Sequence, residues 1–362
     1  MTGTRRSLHI GSAMIDIISI VAAENIERVT FSNDTRSFLM LEAGRKVAAQ
    51  SITTHVGGGA CNTAVALARL GWESAVIARL GRDLNAGAVR EHLAANAIDA
   101  TWLADTPDAA TGTAVMVASH DRNASIFVHR GANEGIGPGT LPDAAFAGRD
   151  LVHIAPLSSH SADAFGLIAG KGRAAGAMVT ANPGIRHLTS RTAAVLAALA
   201  DIDLLSINRV EAEALVPAIA ARGEAPDPIP PAGAPDLLSR GLSGGGFQIG
   251  LLRFLAALRE AGPRFVVLTN GTEGAWLAGP EGMLWHPSLP ARVAGTAGAG
   301  DSFTATLSAA LAEGREPRRA MLEASANAAS VVSVVDTTEG LLGREALARS
   351  ADAAGHTAVY VA

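Results

Sequence analysis

Short apolar runs rich in β-branched residues alternate along the chain with longer alanine- and leucine-rich stretches. Residues 8–13, 74–78, 151–155, 177–181, 204–207 and 265–269 read as strands, being short, continuously apolar and bounded by turn formers. Between them, residues 60–70, 87–95, 193–199, 249–261 and 302–312 repeat apolar positions at helical spacing. This alternation predicts βαβ units, hence an α/β fold with a mainly parallel sheet covered on both faces.

Two regions break the rhythm. Residues 27–54 and 111–128 lack helical spacing, and within the second, 114–117 and 125–128 read as hairpin strands, which predicts a small separate β sheet acting as a lid. Residues 222–246 hold Pro226, Pro228, Pro230, Pro231, Pro235 and Gly244 to Gly246, which predicts a mobile surface insertion within one domain spanning 1–362. No fixed-period repeat indicates a solenoid.

Composition narrows the function. Of 362 residues, 48% are hydrophobic and 17% charged, enough to build a large core. A formal net charge of -5 offers no basic surface for nucleic acid or anionic membrane, so neither is an expected partner. The single cysteine, Cys61, excludes an intramolecular disulfide and suits a reducing, cytoplasmic setting. Arg5 and Arg6 before an apolar stretch loosely resemble an export leader, but His9 and Asp16 interrupt the run, which reads better as a core strand. No segment offers about 18 uninterrupted apolar residues for a membrane span.

The sharpest local signal is Gly295-Thr296-Ala297-Gly298-Ala299-Gly300-Asp301, opening into Phe303, Leu307, Ala310 and Leu311 at helical spacing. A glycine turn at a helix N-terminus converges backbone amides into an anion site suited to phosphate. Asp301 beside that site makes sense as a base taking a proton from an attacking hydroxyl, or as a cap of its own helix. A second turn, Gly57-Gly58-Gly59-Ala60-Cys61-Asn62, leads into a stripe of small residues, and Asn62 there suits a ligand hydroxyl or a local cap. Neither turn carries the Gly-Lys-Ser/Thr of a P-loop, and both miss the last glycine of a dinucleotide fingerprint, which disfavours an oxidoreductase.

Taken with their order and separation, the two turns resemble the two signatures of the ribokinase-like, or PfkB, carbohydrate and nucleoside kinases. Asp16, Asn208-Arg209-Val210-Glu211 and Thr269-Asn270-Gly271 extend the match in the same order. The resemblance implies a three-layer α/β/α fold and ATP-dependent phosphorylation of a sugar or nucleoside hydroxyl. It assigns Asp301 as base and Gly298, Ala299 and Gly300 as the anion hole. Asp16, Gly58, Gly59 and Asn62 would hold substrate hydroxyls; Asn208, Thr269, Gly271 and Asn327 would lie near ATP; and Glu211 with Asn208 would organise Mg²⁺ through water. It also implies pairing of two lids in a homodimer.

Departures from the family pattern bear on the substrate. Gly295 and Ala297 replace an acid and a threonine, leaving dependence on a monovalent cation such as K⁺ open and admitting a ligand sensor without turnover. Gly59 replaces a basic residue, and Ala155-Pro156-Leu157 lacks the acidic ribose contact. A phosphosugar would need cations, for which Arg130, Arg122 and Lys46 are candidates; a nucleoside would need walls such as Phe38 or Phe127.

Overall fold

The computed structural model describes residues 3–22, 27–30, 37–40, 44, 46–119, 124–220, 235–355 and 358–361. Arg122 falls outside these residues, as does the side chain of Phe38.

Six parallel strands form most of a nine-stranded sheet. From one edge they run Glu73–Ile77, Arg6–Ile10, Leu151–Ile154, Met178–Ala181, Leu204–Asn208 and Phe265–Thr269. Ala275–Gly279, Gly282–His286 and Val359–Tyr360 extend it with antiparallel pairing. Successive residues of a strand face opposite sides, and the core divides accordingly. Val152 and Ile154 join one apolar cluster and Leu151 the other; Leu205 and Ile207 likewise part from Leu204. Burial on both faces explains why these strands are continuously apolar. Gly59–Arg69, Ala299–Ala312 and Pro317–Val331 are among the helices covering one face, and Phe165–Ala174 and Leu251–Glu260 pack on the other. The result is three layers, α/β/α.

A second sheet of four strands lies in the order Ala124–His129, Gly112–Ser119, Met14–Val21, Ala49–Gly57. The apolar stretch from residue 8 reads as one strand running to 13, yet the structure ends Arg6–Ile10 at Gly11, whose φ is +155°, and begins a new strand at Met14 in the other sheet. Met14–Val21 pairs parallel with Gly112–Ser119 and antiparallel with Ala49–Gly57, so the missed strand is central to this sheet. Glu27–Thr30 and Ser37–Met40 pair with each other, apart from it.

The proline- and glycine-rich segment is also corrected where it is described; residues 221–234 lie outside the description. Asp236–Arg240 is helical, Leu242–Gly244 pairs with Phe247–Ile249, and Leu237, Leu238, Leu242 and Ile249 are buried in the main core. Apolar residues spaced between the glycines anchor this stretch, and the hairpin delays the following helix to Leu251. Among the described residues no helix is long and apolar enough to cross a membrane.

Candidate active site

The carboxyl ends of the parallel strands, where ligands of open α/β sheets gather, collect the residues singled out above. Gly298 sits at the N-cap of Ala299–Ala312 with φ +78°, a left-handed conformation that glycine adopts without strain. A Cβ there would lie 2.7 Å from the carbonyl oxygen of Thr337. The turn therefore needs glycine for both conformation and space. The first-turn amides of a helix have no carbonyl four residues back within it, so those of Gly300 and Asp301 open towards an anion, while the Ala299 amide makes a long 3.4 Å bond back to the Thr296 carbonyl. Nothing within 4 Å would meet a Cβ at Gly300, so the approach to this turn is open.

The second turn packs against the same place. Gly58, with φ +97°, leaves 2.4 Å between its would-be Cβ and the Ser12 carbonyl, and a Cβ on Gly59 would come within 2.9 Å of Ala155 Cβ and 3.1 Å of Pro156 Cδ. Ser12 ties the turn down: its Oγ accepts from the Gly59 amide at 3.2 Å and its carbonyl from the Ala60 amide at 3.2 Å. Asn62 then spans the turns, donating from Nδ2 to Asp301 Oδ2 at 2.8 Å while its Oδ1 accepts from the Thr337 hydroxyl at 3.0 Å. Asn62 thus holds Asp301 and is itself held by Thr337, with the second proton of its Nδ2 left for a ligand.

Asp16 points beneath the same turn, its Oδ2 2.0 Å from where a Cβ on Gly57 would sit. Burial, then the Asp301 charge, push its pKa up to about 6, against the pull of His55. Asp301 is also raised to about 6, by desolvation that outweighs the Asn62 hydrogen bond. His55, opposite Asp16 in register, pairs through Nδ1 with Asp336 Oδ2 at 2.6 Å. Asp336 in turn accepts from the backbone amides of Thr338 and Glu339.

A buried hydrogen-bond chain supports the Gly59 turn from behind. The Thr63 hydroxyl donates to the Gly59 carbonyl at 2.7 Å, and its single proton being so used, it accepts from His9 Nδ1 at 2.9 Å. His9 Nε2 must then accept from Ser7 Oγ at 3.0 Å, and Ser7 Oγ from Ser74 Oγ at 3.0 Å. Burial holds the His9 pKa well below its ordinary value, as a neutral ring in this chain requires.

On the other side of Asp301, Asn208 and Thr269 end adjacent strands in register. Asn208 and Glu211 form a reciprocal cap: the Glu211 amide donates to Asn208 Oδ1 at 3.0 Å and the Asn208 amide to Glu211 Oε2 at 2.9 Å. Asn182 Nδ2 donates to that same Oε2 at 3.2 Å, while Oε1 has no hydrogen-bond partner among the described residues. Glu211 is 6% exposed, and desolvation raises its pKa in spite of these donors. Gly271, φ +51°, opens the turn after Thr269. Asn327 stands apart from the cleft. It has no exposed surface, and its amide donates to Thr306 Oγ1 and accepts from the Leu342 amide, so it braces the helices.

Beside the Gly59 turn a cavity is lined by Ser12, Met14, Arg130, Asn133, Pro156, Leu157 and Ser158. Asn133 is committed to Ala13, donating to its carbonyl at 3.0 Å and accepting from its amide at 3.1 Å. Lys46 is exposed and does not line this cavity. Ser12, Asn182, Thr337 and Asp336 escaped the motif reading because each acts through a backbone or an amide contact. Ser12 in particular falls inside the stretch 8–13 that reads as one strand, so nothing in the sequence marks it.

The chain resembles known proteins in both sequence pattern and fold. The sequence pattern of the family described as "pfkB family carbohydrate kinase" matches residues 8–224 and 249–342, passing over the proline- and glycine-rich stretch between. The ATP-dependent ribose-1-phosphate kinase of Halopiger xanaduensis is 26% identical over 264 residues, 73% of this chain and 76% of the relative. A nucleoside kinase of Methanothermobacter thermautotrophicus is 25% identical over 76% of this chain and 78% of its own length. Arabidopsis thaliana ribokinase, solved with ribose and ATP, superposes with a TM-score of 0.70 at 20% identity, covering 96% of this chain and 99% of that one. At that identity the likeness shows the fold.

Proposed function

Because this chain belongs to the pfkB family of carbohydrate kinases, we propose that its cleft transfers the γ-phosphoryl group of ATP to a sugar hydroxyl, with Asp301 as base. The carrying observation is the 2.8 Å hydrogen bond from Asn62 to Asp301, which joins the two glycine turns at one carboxylate. Asn62 and Asp16 orient the acceptor, and Asp301 Oδ1 takes its proton as the oxygen attacks in line. The amides of Gly300 and Asp301 stabilise charge on the transferring group.

ATP would lie across Asn208, Thr269 and Gly271. An all-oxygen set with one free carboxylate oxygen on Glu211 fits Mg²⁺ held through waters better than direct ligation by several side chains. Mg²⁺ held there would supply positive charge to offset that of the nucleotide's phosphates. Glu211, held by Asn208 and Asn182, would orient those waters. The second sheet would close over the sugar and exclude water. Its exposed Ile126, Phe127 and Val128 suit pairing of two such sheets in a homodimer. Cys61 is buried, its thiol pushed up to about 12 by desolvation and Asp16, in keeping with a structural residue in a reducing cytoplasm.

Asp301→Asn keeps the Asn62 contact sterically and removes the base, so turnover should fall about 10²- to 10⁴-fold. ADP release is measured with a panel of sugars and nucleosides. Unchanged turnover in the variant would overturn the assignment, and stoichiometric ligand binding without ADP release would favour a sensor.

A further inference from the structure

Arg130 lines the cavity beside the Gly59 turn and is half-buried. Arg186, exposed on the Ile185–Ser190 helix, adds positive charge near it, and that helix's N-cap Gly184 packs on Pro156, itself part of the cavity wall. Among the described residues no carboxylate lies within ion-pair distance of either guanidinium. The acid nearest in effect is Glu134, whose Oε1 accepts from the Ser159 hydroxyl at 2.7 Å. Desolvation and the Arg186 charge both disfavour the Arg130 cation, with Glu134 opposing them.

A half-buried guanidinium without a carboxylate partner, with a second positive charge near it, costs stability because an unpaired, partly desolvated charge is unfavourable. The arrangement becomes favourable when a ligand brings the anion. The cavity and the proposed base flank the same turn: Ser12 lines the cavity and also bonds the Gly59 amide, and a Cβ on Gly59 would stand 3.8 Å from Asp301 Oδ1. An acceptor with one hydroxyl at Asp301 would extend its far end towards Arg130. Among the described residues no aromatic side chain lines the cavity to stack on a nucleobase.

We propose that Arg130, assisted by Arg186, binds a phosphomonoester already present on the acceptor, so that the substrate is a sugar monophosphate. The inference rests on the kinase reading of the same cleft. Two guanidiniums against one distant carboxylate leave an excess of positive charge, matched by a phosphomonoester carrying −1.5 to −2 near neutral pH more fully than by a single carboxylate. Planar guanidinium also pairs with phosphate through two parallel hydrogen bonds.

The test compares matched sets of neutral sugars, sugar acids and sugar monophosphates as acceptors for the full chain with MgATP. Wild type is expected to prefer at least one monophosphate over its neutral and acidic counterparts by tenfold or more in kcat/KM. Arg130→Gln should remove most of that preference through KM for the acceptor, leaving KM for ATP within about twofold, and Arg130→Lys should restore part of it. Arg186→Gln should give a smaller change in the same direction. Equal or better use of neutral sugars or sugar acids, or an Arg130→Gln protein that keeps the preference, would overturn the proposal. Should no acceptor release ADP, the kinase reading fails on that result. The anion site is then judged by calorimetric titration of the same sugar monophosphates into wild type and Arg130→Gln. Arginine-dependent binding sustains it, and equal binding or none overturns it.

Discussion

Asn62 holds one oxygen of Asp301 and leaves the other free. Its Nδ2 reaches Oδ2 at 2.8 Å, whereas Oδ1 faces the Gly59 turn, 3.8 Å from where a Cβ there would sit. An amide donor favours the ionised carboxylate, opposing the burial that raises Asp301 to about 6. The two effects together leave a carboxylate that is ionised at neutral pH and yet basic enough to accept a proton in transfer.

The first prediction concerns the rate profile. If ionised Asp301 is required, kcat/KM should rise with pH through about 6 and level above it. Asn62→Asp sets a second carboxylate where the amide stands, which should move that limb to higher pH and lower the plateau. Initial rates of ADP release across pH 5 to 9 check both, and a limb that stays in place in the variant would count against the pairing.

Stability should follow the opposite sign. Asp16 and Asp301 are raised to about 6 in the folded chain from an ordinary 3.8. The folded state therefore holds more protons between those values, and their contribution to stability falls as pH rises from about 4 to about 6. Asp301→Asn removes one such group and relieves the other. The gain in stability of the variant over wild type should be larger at pH 7 than at pH 4, read from urea unfolding at both. A constant difference would refute the coupling.

Gly298→Ala tests the anion turn. The left-handed φ costs a non-glycine residue about 1–2 kcal/mol, and the added methyl meets the Thr337 backbone. Thermal unfolding should show at least that loss, with kcat reduced more than tenfold. Gly300→Ala, which meets nothing within 4 Å, should unfold no earlier than wild type.

The periodicity revealed the parallel sheet because its strands are buried on both faces and carry no competing pattern. The second sheet was legible only in part. Residues 112–119 and 124–129 alternate beside turn signals, but Met14–Val21 follows Arg6–Ile10 so closely that the two read as one apolar run, and only the backbone turn at Gly11 separates them. For the same reason Asp16 was expected at the end of the first strand, whereas it lies inside the next. The glycine turns and Asp301 were visible because backbone geometry demands particular residues there. Ser12 and Thr337 were not, since they serve the site through a carbonyl and a single hydroxyl that many sequences could supply. Asn208 and Glu211, three residues apart, have the spacing of a reciprocal helix cap, and the structure contains it.

Gly11, Ser12 and Ala13 are the whole connection between Arg6–Ile10 of the large sheet and Met14–Val21 of the small one. The same three residues carry the carbonyl and hydroxyl that fix the Gly59 turn, and Asn133 clamps Ala13 through both of its backbone groups. Joint and cradle are thus one piece of chain. A swing of the small sheet about this joint would reshape the sugar-facing wall at its pivot, and a molecule lodged against Ser12 would act as a splint across it.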